Sequence, residues 1–358
     1  MKSCRLIVLG VFVLAVSGGF YYWNRPTARL RRQVDFWAHG HRWAAPGQSS
    51  AERDAARTTG LRALGDQAID LLGDDVQQKD GLWDRIQEAV RSGLGPDWLR
   101  RRFQYQNRRP GFFYRCEAAE SLGLLGKAAR RATPALVHAL NDRNINVRRE
   151  AALALGRVGS NTPDVISALQ TQTNHSYAAL AAAAAFSCWR LQPSNGLAVE
   201  CVRRLVTNDY DCAFWVAPMI ADAGPQAKIF VPSLEAALAN QNDSAAGNPF
   251  YGQIQIRLAR ALWMIDRSPR AALEVFSSFT NAQVRGRLPP QCNPNFDLGR
   301  MTVELSDIPE YCLAARPVLK SIELVKSPDW PGPLLSNALQ RVERTLAVEG
   351  MLTSHPAP

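Results

Sequence analysis

The chain has 358 residues, of which 46% are hydrophobic and 21% are charged, and this composition excludes an intrinsically disordered protein. The length is sufficient for one large core or for an array of several repeats. A formal net charge of +10 allows nucleic acid, anionic lipid or an acidic protein as the partner, but the basic residues are too dispersed to select one of them.

The N-terminal segment, residues 1–25, contains a short basic start followed by an apolar run over residues 6–23. About 18 apolar residues, at roughly 1.5 Å each in a helix, can just cross a bilayer. Two interpretations stay open at this point. We favour an uncleaved anchor over a signal peptide cleaved after Ser17, where small residues precede Gly18.

The orientation of this segment depends on two opposing signals. Arg25, Arg29, Arg31 and Arg32 follow the apolar run, and positive charge tends to stay on the cytoplasmic side. A short basic start before an apolar stretch is instead typical of export, which we favour. We therefore expect an inner-membrane anchor with an exported body, or a secreted or periplasmic protein if the leader is cleaved. In the anchored form the arginines would lie beside lipid head groups.

The region before the clearest repeats divides into two parts. Residues 26–50 are predicted to form a basic stalk, and residues 51–111 carry a helical periodicity that predicts degenerate repeats. A connector rich in arginine and aromatic residues ends this region. Such a connector can bind single-stranded nucleic acid, an acidic protein surface or phospholipid, or it can form a solvated loop packed on the array. The candidate binding patch consists of Arg100, Arg101, Arg102, Arg108, Arg109 and Arg115.

The most informative pattern is the segment 115–126, which is repeated 33 positions later at 148–159. A fixed period of this size is typical of a stacked helical solenoid, because one amphipathic helix cannot bury its apolar face alone. Each unit is predicted to end its first helix at a glycine. The second helix is predicted to open at Thr133-Pro134 or Thr162-Pro163, where threonine caps the free amides and proline suits the first position.

Weaker copies of the unit extend the predicted array over residues 112–279. The run from Ala178 to Ala185, which is mostly alanine, predicts one further first helix, since alanine is the best helix former. Residues 280–317 are rich in proline and are predicted to be an insertion, and residues 318–358 are predicted to form capping helices.

The repeated pattern Arg-x-x-Ala-Ala-x-x-Leu-Gly-x-x-Gly, followed by a second helix led by proline, resembles HEAT repeats, in particular the bilin-lyase HEAT-like subclass. Asp142 and Arg148 match the aspartate and arginine that this family stacks as ladders between units. The apolar leader followed by Val34–Trp37 is similar to a group of bacterial HEAT proteins. The resemblance implies an all-α solenoid, a right-handed superhelix of antiparallel helix pairs of the HEAT and armadillo kind, used for protein–protein contact.

No motif in the sequence predicts catalysis. The chain has no H-E-x-x-H, no P-loop and no G-x-S-x-G. His39 and His41 could bring two imidazoles together, but no carboxylate cluster accompanies them in the sequence, so we predict no metal site and no cofactor.

The seven cysteines form no close pair typical of a metal site. We expect buried free thiols at Cys116, Cys188 and Cys201, which fall in helical segments. Cys292 and Cys312 flank a loop-like stretch and could pair in an oxidising compartment.

These patterns favour a non-catalytic scaffold or adaptor that binds an unidentified protein and is tethered to, or exported across, a bacterial membrane. We expect a monomer that contacts the membrane through residues 6–23. Two alternatives stay open: an enzyme of the bilin-lyase kind, which would hold a prosthetic group on its concave face, and a cytoplasmic nucleic-acid-binding protein that uses the arginine-rich connector. Export would weaken the nucleic-acid interpretation.

Overall fold

A computed structural model describes residues 26–40, 48–79, 111–243, 251–280, 294–325 and 332–351. These residues form helices and connecting turns without a β-strand, which confirms the predicted all-α solenoid. The helices are α1 (Pro26–Asp35), α2 (Ser50–Ala63), α3 (Asp66–Gln77), α4 (Gly111–Leu125), α5 (Thr133–Ala139), α6 (Ile145–Val158), α7 (Pro163–Gln172), α8 (Ala178–Leu191), α9 (Gly196–Asn208), α10 (Tyr210–Ala223), α11 (Val231–Asp243), α12 (Tyr251–Asp266), α13 (Arg270–Thr280), α14 (Pro294–Leu305), α15 (Pro309–Val325) and α16 (Gly332–Val348).

The helices stack as successive pairs. The first helices α4, α6, α8, α10, α12 and α14 pack against one another in chain order, and α16 continues this row. Leu122, Leu155, Cys188 and Ile220 occupy equivalent positions of four first helices and are at most 1% exposed. Because each unit buries its apolar face on the next, the core runs the length of the stack.

The repeated Gly-x-x-Gly pattern serves two different purposes. Gly126 and Gly159 end their helices with φ of 60° and 73°, a left-handed conformation that glycine adopts without strain. Gly123 and Gly156 instead lie inside helices that approach closely. A Cβ at Gly156 would lie 2.6 Å from the Oγ of Ser187, so only glycine allows α6 and α8 to pack at this distance.

The second helices begin at the prolines that the sequence indicates, but threonine does not cap them. A 3-10 segment, Gly126–Ala132, leads directly into α5, and the Thr133 hydroxyl donates to the Arg130 carbonyl instead. Thr162 occupies the N-cap position of α7 without a side-chain hydrogen bond. The predicted caps are therefore wrong, although the helix starts are right.

Helix α8 lies between α6 and α10, which contact each other past it. Most of its alanines are buried, and their small side chains allow this approach. The Arg149 guanidinium lies 3.6 Å from the ring centroid of Trp215, and Arg157 forms an ion pair with Asp222. Helices two places apart can touch only on the side towards which a stack bends. The first helices therefore line the inner side of the curve.

Residues 26–40 do not form the separate stalk that the sequence predicts. Helix α1 and a π-helical turn, Phe36–Gly40, pack on α2, α3 and α4. Val34 is fully buried and Ala38 is 4% exposed, because apolar residues recur at helical spacing through this segment.

The predicted insertion at 280–317 is in large part regular helix. Helices α14 and α15 begin at Pro294 and Pro309, where a missing backbone N–H leaves no intrahelical bond unmade. Leu298 and Leu305 are fully buried, so α14 continues the inner row. Proline content alone therefore misled the prediction, since prolines at helix starts are compatible with helices.

The predicted membrane segment, residues 6–23, lies outside the described residues. Within those residues, no helix is both long enough and apolar enough to cross a bilayer.

Candidate functional site

Charged side chains from α2 and from five of the first helices lie on the inner side of the curve. Asp54 of α2 interacts electrostatically with Arg157 and Asp222, and Arg257 of α12 interacts with Glu120 and Glu150. Residues this far apart in the chain come close enough to interact only because the stack bends. The inner charged face consists of Asp54, Arg57, Glu120, Glu150, Arg157, Arg190, Asp222 and Arg257.

Arg57 fixes one end of this face. Its Nη1 donates to the Glu120 carboxylate over 2.9 Å, and its Nη2 donates to the Glu117 carbonyl over 2.8 Å and to the Ser121 hydroxyl over 2.7 Å. The same nitrogen reaches the Ala38 carbonyl at 2.9 Å. One buried guanidinium thus holds α2, the π-helical turn and α4 together and orients Glu120.

The acids of the inner charged face are partly withdrawn from water. Burial, reinforced by the nearby Glu120 carboxylate, raises the pKa of Asp54 from 3.8 to about 6. Burial also raises the pKa of Glu150, although Arg149 lies 2.9 Å away and opposes the rise. Such carboxylates gain from a cationic group placed beside them.

The arginines of the face differ in how well they are paired. Burial alone would lower the pKa of Arg157, but the paired Asp222 carboxylate raises it overall. Burial, with a smaller contribution from Arg300, lowers the pKa of Arg257 to about 10. Burial and the nearby Arg157 lower the pKa of Arg190, whose buried Nη1 has no hydrogen-bond partner in the part of the chain that the structure describes.

The ladder expected at Asp142 and Arg148 lies in the turn before α6. The Arg148 Nε donates to the Asp142 backbone carbonyl, and Asn144 donates its backbone N–H to the Asp142 carboxylate over 2.7 Å. Arg115 of the preceding unit reaches that carboxylate with its Nε at 2.8 Å. Arg115 is only 2% exposed, so the structure places it in this ladder and not on a surface patch.

The other members of the candidate binding patch, Arg100, Arg101, Arg102, Arg108 and Arg109, lie outside the described residues, as do His41 and Cys292. The cysteines Cys116, Cys188, Cys201, Cys212 and Cys312 are free. Cys312 is buried and its thiol donates to the Ser306 carbonyl, and burial raises its pKa to about 12.

The repeat alignment contained a signal for the inner charged face. Arg157, Arg190 and Asp222 occupy the same position of three consecutive units. Polar residues at a position that the fold turns inward indicate a functional surface. Periodicity within one helix could not show this, since it does not reveal which polar side faces the inside of the curve.

A second group of polar residues lies near the N-terminal end of the stack. Asp35, His39 and Asp75 bring ligand-type atoms within 4.8 Å of one another. Only the i, i+4 spacing of Asp35 and His39 is visible in the sequence, because Asp75 comes from a different helix.

One comparison identifies the repeat type. Residues 114–190, which span α4 to α8, match the family described as HEAT repeats. The chain therefore contains HEAT repeats in this segment, as the sequence pattern predicts. No curated protein and no solved structure matches the chain.

Proposed function

We propose that the chain is a non-catalytic scaffold that binds another protein along the inner charged face. HEAT repeats commonly act as protein-interaction scaffolds. One observation favours the inner charged face as the binding surface: charges of both signs from separate units come together there and are partly desolvated. Partly desolvated charges interact strongly with complementary groups.

The chemistry of the face favours a polypeptide segment that carries both acidic and basic side chains. Arg190 contributes a cation to this face, and Asp54 and Glu150 offer carboxylates that a cation would stabilise. Trp215 lies among these charges, stacked under Arg149, and aromatic residues of this kind often anchor interfaces. A purely anionic polymer would meet the carboxylates at a cost.

The proposal includes a membrane tether through residues 6–23, with the body exported. The surface formed by residues 29–37, close to the first described residue, supports the tether. Arg29, Arg32, Gln33, Phe36 and Trp37 line a hollow of about 550 Å³, and Phe36 is 59% exposed. Basic and aromatic side chains together suit the head-group region of a bilayer.

Affinity capture of the full chain from membranes of the native cell tests the binding face. We expect Arg190→Gln to recover at least several-fold less of the captured protein than wild type. Arg143→Gln is the matched control, because Arg143 is exposed in the turn before α6. Equal recovery with both variants, while circular dichroism shows intact helices, would remove the inner charged face from the proposal.

The same preparations test the alternatives. Visible absorbance that copurifies with the chain would favour the bilin-lyase interpretation, and capture that disappears after nuclease treatment would favour nucleic acid. Protease added to spheroplasts tests the export. Digestion of the body supports it, and a protected body in the soluble fraction contradicts it.

A further inference from the structure

Three side chains from separate elements converge where residues 26–40 pack on the array. Asp35 ends α1, His39 lies four residues later in the π-helical turn, and Asp75 comes from α3. One nitrogen or oxygen of each lies within 4.8 Å of the others. We propose that Asp35, His39 and Asp75 bind a divalent transition-metal cation, with Zn²⁺ as the best fit.

Two of the three ligand atoms are buried and have no hydrogen-bond partner among the described residues. They are the Nε2 of His39 and the Oδ2 of Asp75, on side chains that are 9% and 6% exposed. The two atoms are 4.0 Å apart, which is too long for a hydrogen bond. Buried polar atoms without partners are rare in folded proteins, and a cation between these two would satisfy both.

The other nitrogen of His39 is held in the way that metal-binding histidines require. Its Nδ1 lies 3.0 Å from the Oε2 of Glu117, whose side chain is 2% exposed. An ionised carboxylate only accepts hydrogen bonds, so Nδ1 carries a proton, and in the neutral form of the ring the lone pair lies at Nε2. A carboxylate behind a ligating histidine fixes the ring and increases its basicity.

The charge of the cluster also suits a dication. Asp35, Asp75 and Glu117 contribute three negative charges around neutral His39, and Arg31 contributes one positive charge. The Arg31 Nη2 lies 2.6 Å from Asp75 Oδ1, and its Nε lies 3.0 Å from Asp35 Oδ1. Arg31 therefore engages one oxygen of each carboxylate and leaves the second available. A net charge of two negative units remains for a cation to neutralise.

The ligand set favours Zn²⁺ over Mg²⁺. Imidazole suits zinc and carboxylate is an accepted zinc ligand, whereas Mg²⁺ prefers oxygen ligands alone. Zinc bonds of about 2.0–2.2 Å separate ligand atoms by roughly 3.4 Å in a tetrahedral site. The His39 Nε2 and the Asp75 Oδ2, which are 4.0 Å apart, would therefore approach each other by about 0.6 Å, and a pair at the 4.8 Å limit would approach by about 1.4 Å. Three protein ligands leave the fourth position to water. The metal would fasten α1 and the π-helical turn to α3 and, through Glu117, to α4.

A proton is the competing occupant. Burial lowers the pKa of His39, but Asp75 and Glu117 raise it by more, so a doubly protonated ring between the two carboxylates is the alternative arrangement. A measurement of metal binding distinguishes the two arrangements, because only the neutral imidazole can bind a cation.

Calorimetric titration of tag-free, chelator-treated full chain with Zn²⁺ tests the proposal. We expect binding of one Zn²⁺ per chain, together with an upward shift of Tm. His39→Gln and Asp35→Asn should abolish or strongly weaken it, and Glu117→Gln should weaken it by about 10–100-fold. Asp35 is 45% exposed, so its variant should fold even if the others do not. His138→Gln, on an exposed residue of α5, is the matched control and should bind like wild type.

Two results would overturn the site. The first is wild-type chain that binds no Zn²⁺ at neutral pH, which would indicate the protonated arrangement. The second is a folded Asp35→Asn variant that binds Zn²⁺ with wild-type affinity and the same Tm shift. Co²⁺ substitution gives an independent reading, since the visible absorption of tetrahedral Co²⁺ should appear with wild type and His138→Gln and be absent from Asp35→Asn.

Discussion

Arg341 of α16 forms an ion pair with Glu52 of α2, although the two residues are 289 positions apart in the chain. Glu52 also belongs to the capping box of α2, in which its carboxylate accepts the Ser49 backbone N–H over 3.0 Å. Arg341 is the largest influence that lowers the pKa of Glu52. The last described helix, α16, thus reaches back to α2, the helix that contributes Asp54 and Arg57 to the inner charged face.

The contact between the ends should respond to removal of one charge. We expect Arg341→Gln to open the curve and to increase the radius of gyration in small-angle X-ray scattering at low salt. The free energy of unfolding should change by no more than about 1 kcal/mol, because Glu52 is half-exposed. Arg344→Gln, exposed on the same helix, is the control. Identical scattering from both variants would show that this ion pair does not hold the curve.

The apolar core between the first helices should not tolerate a charge. Leu155 is fully buried, so Leu155→Asp should lower the free energy of unfolding by more than about 3 kcal/mol. Leu197→Asp makes the same change where the side chain is 87% exposed and should be nearly neutral. Denaturant unfolding of both variants measures the difference. An unchanged midpoint for Leu155→Asp would contradict the packing described for α6.

Helices α6 and α8 approach so closely at Gly156 that even one added methyl group should destabilise their packing. We expect Gly156→Ala to lower the free energy of unfolding by about 1–3 kcal/mol, because its Cβ would lie 2.6 Å from Ser187 Oγ and 3.0 Å from the Ser187 Cα. Gly196→Ala, where a Cβ has nothing within 4 Å, should be neutral or slightly stabilising. Equal midpoints in thermal unfolding for the two variants would mean that α8 can move away without loss.

Asp54 should make stability depend on pH. The folded chain raises the pKa of this carboxyl from 3.8 to about 6, so it holds the proton more tightly than the unfolded chain does. The resulting stabilisation is fully present below about pH 4 and is lost as pH rises through about 6. A shift of this size corresponds to about 1–3 kcal/mol.

Asp54→Asn should flatten this dependence, since the amide resembles the protonated acid. Denaturant midpoints measured at several pH values between 4 and 7 provide the test, with Asp164→Asn at an exposed site of α7 as the control. Parallel pH curves for Asp54→Asn and wild type would place the pH dependence at another group.

The fold could be predicted because its marks are local and repeated. The period between Leu122 and Leu155 and the glycines at helix ends depend on backbone rules that act over a few residues. The same local reasoning failed at Arg115, which neighbouring arginines made part of a basic patch. Its alignment with Arg148 was the better guide, since the ladder contact with Asp142 buries it.

The two candidate sites were harder to predict because their members meet only through the stack. Arg157 and Asp222 touch across an intervening helix, and no spacing in the sequence encodes the bend that joins them. His39 contacts Glu117, which is 78 positions away. The sequence places His39 and His41 two positions apart, but no pattern in it indicates that Asp75 or Glu117 lies beside the His39 imidazole.

The alanines of α8 have a consequence for how a molecule of this design can change. The distance between α6 and α10 depends on the bulk of one helix, α8, whose single charged residue is Arg190. Leucine in place of a few of these alanines would move α6 and α10 apart, while the residues of the inner charged face stayed the same. The width of the inner charged face and its pattern of charges can therefore change independently, the width through side-chain volume in α8 and the pattern through the charged residues.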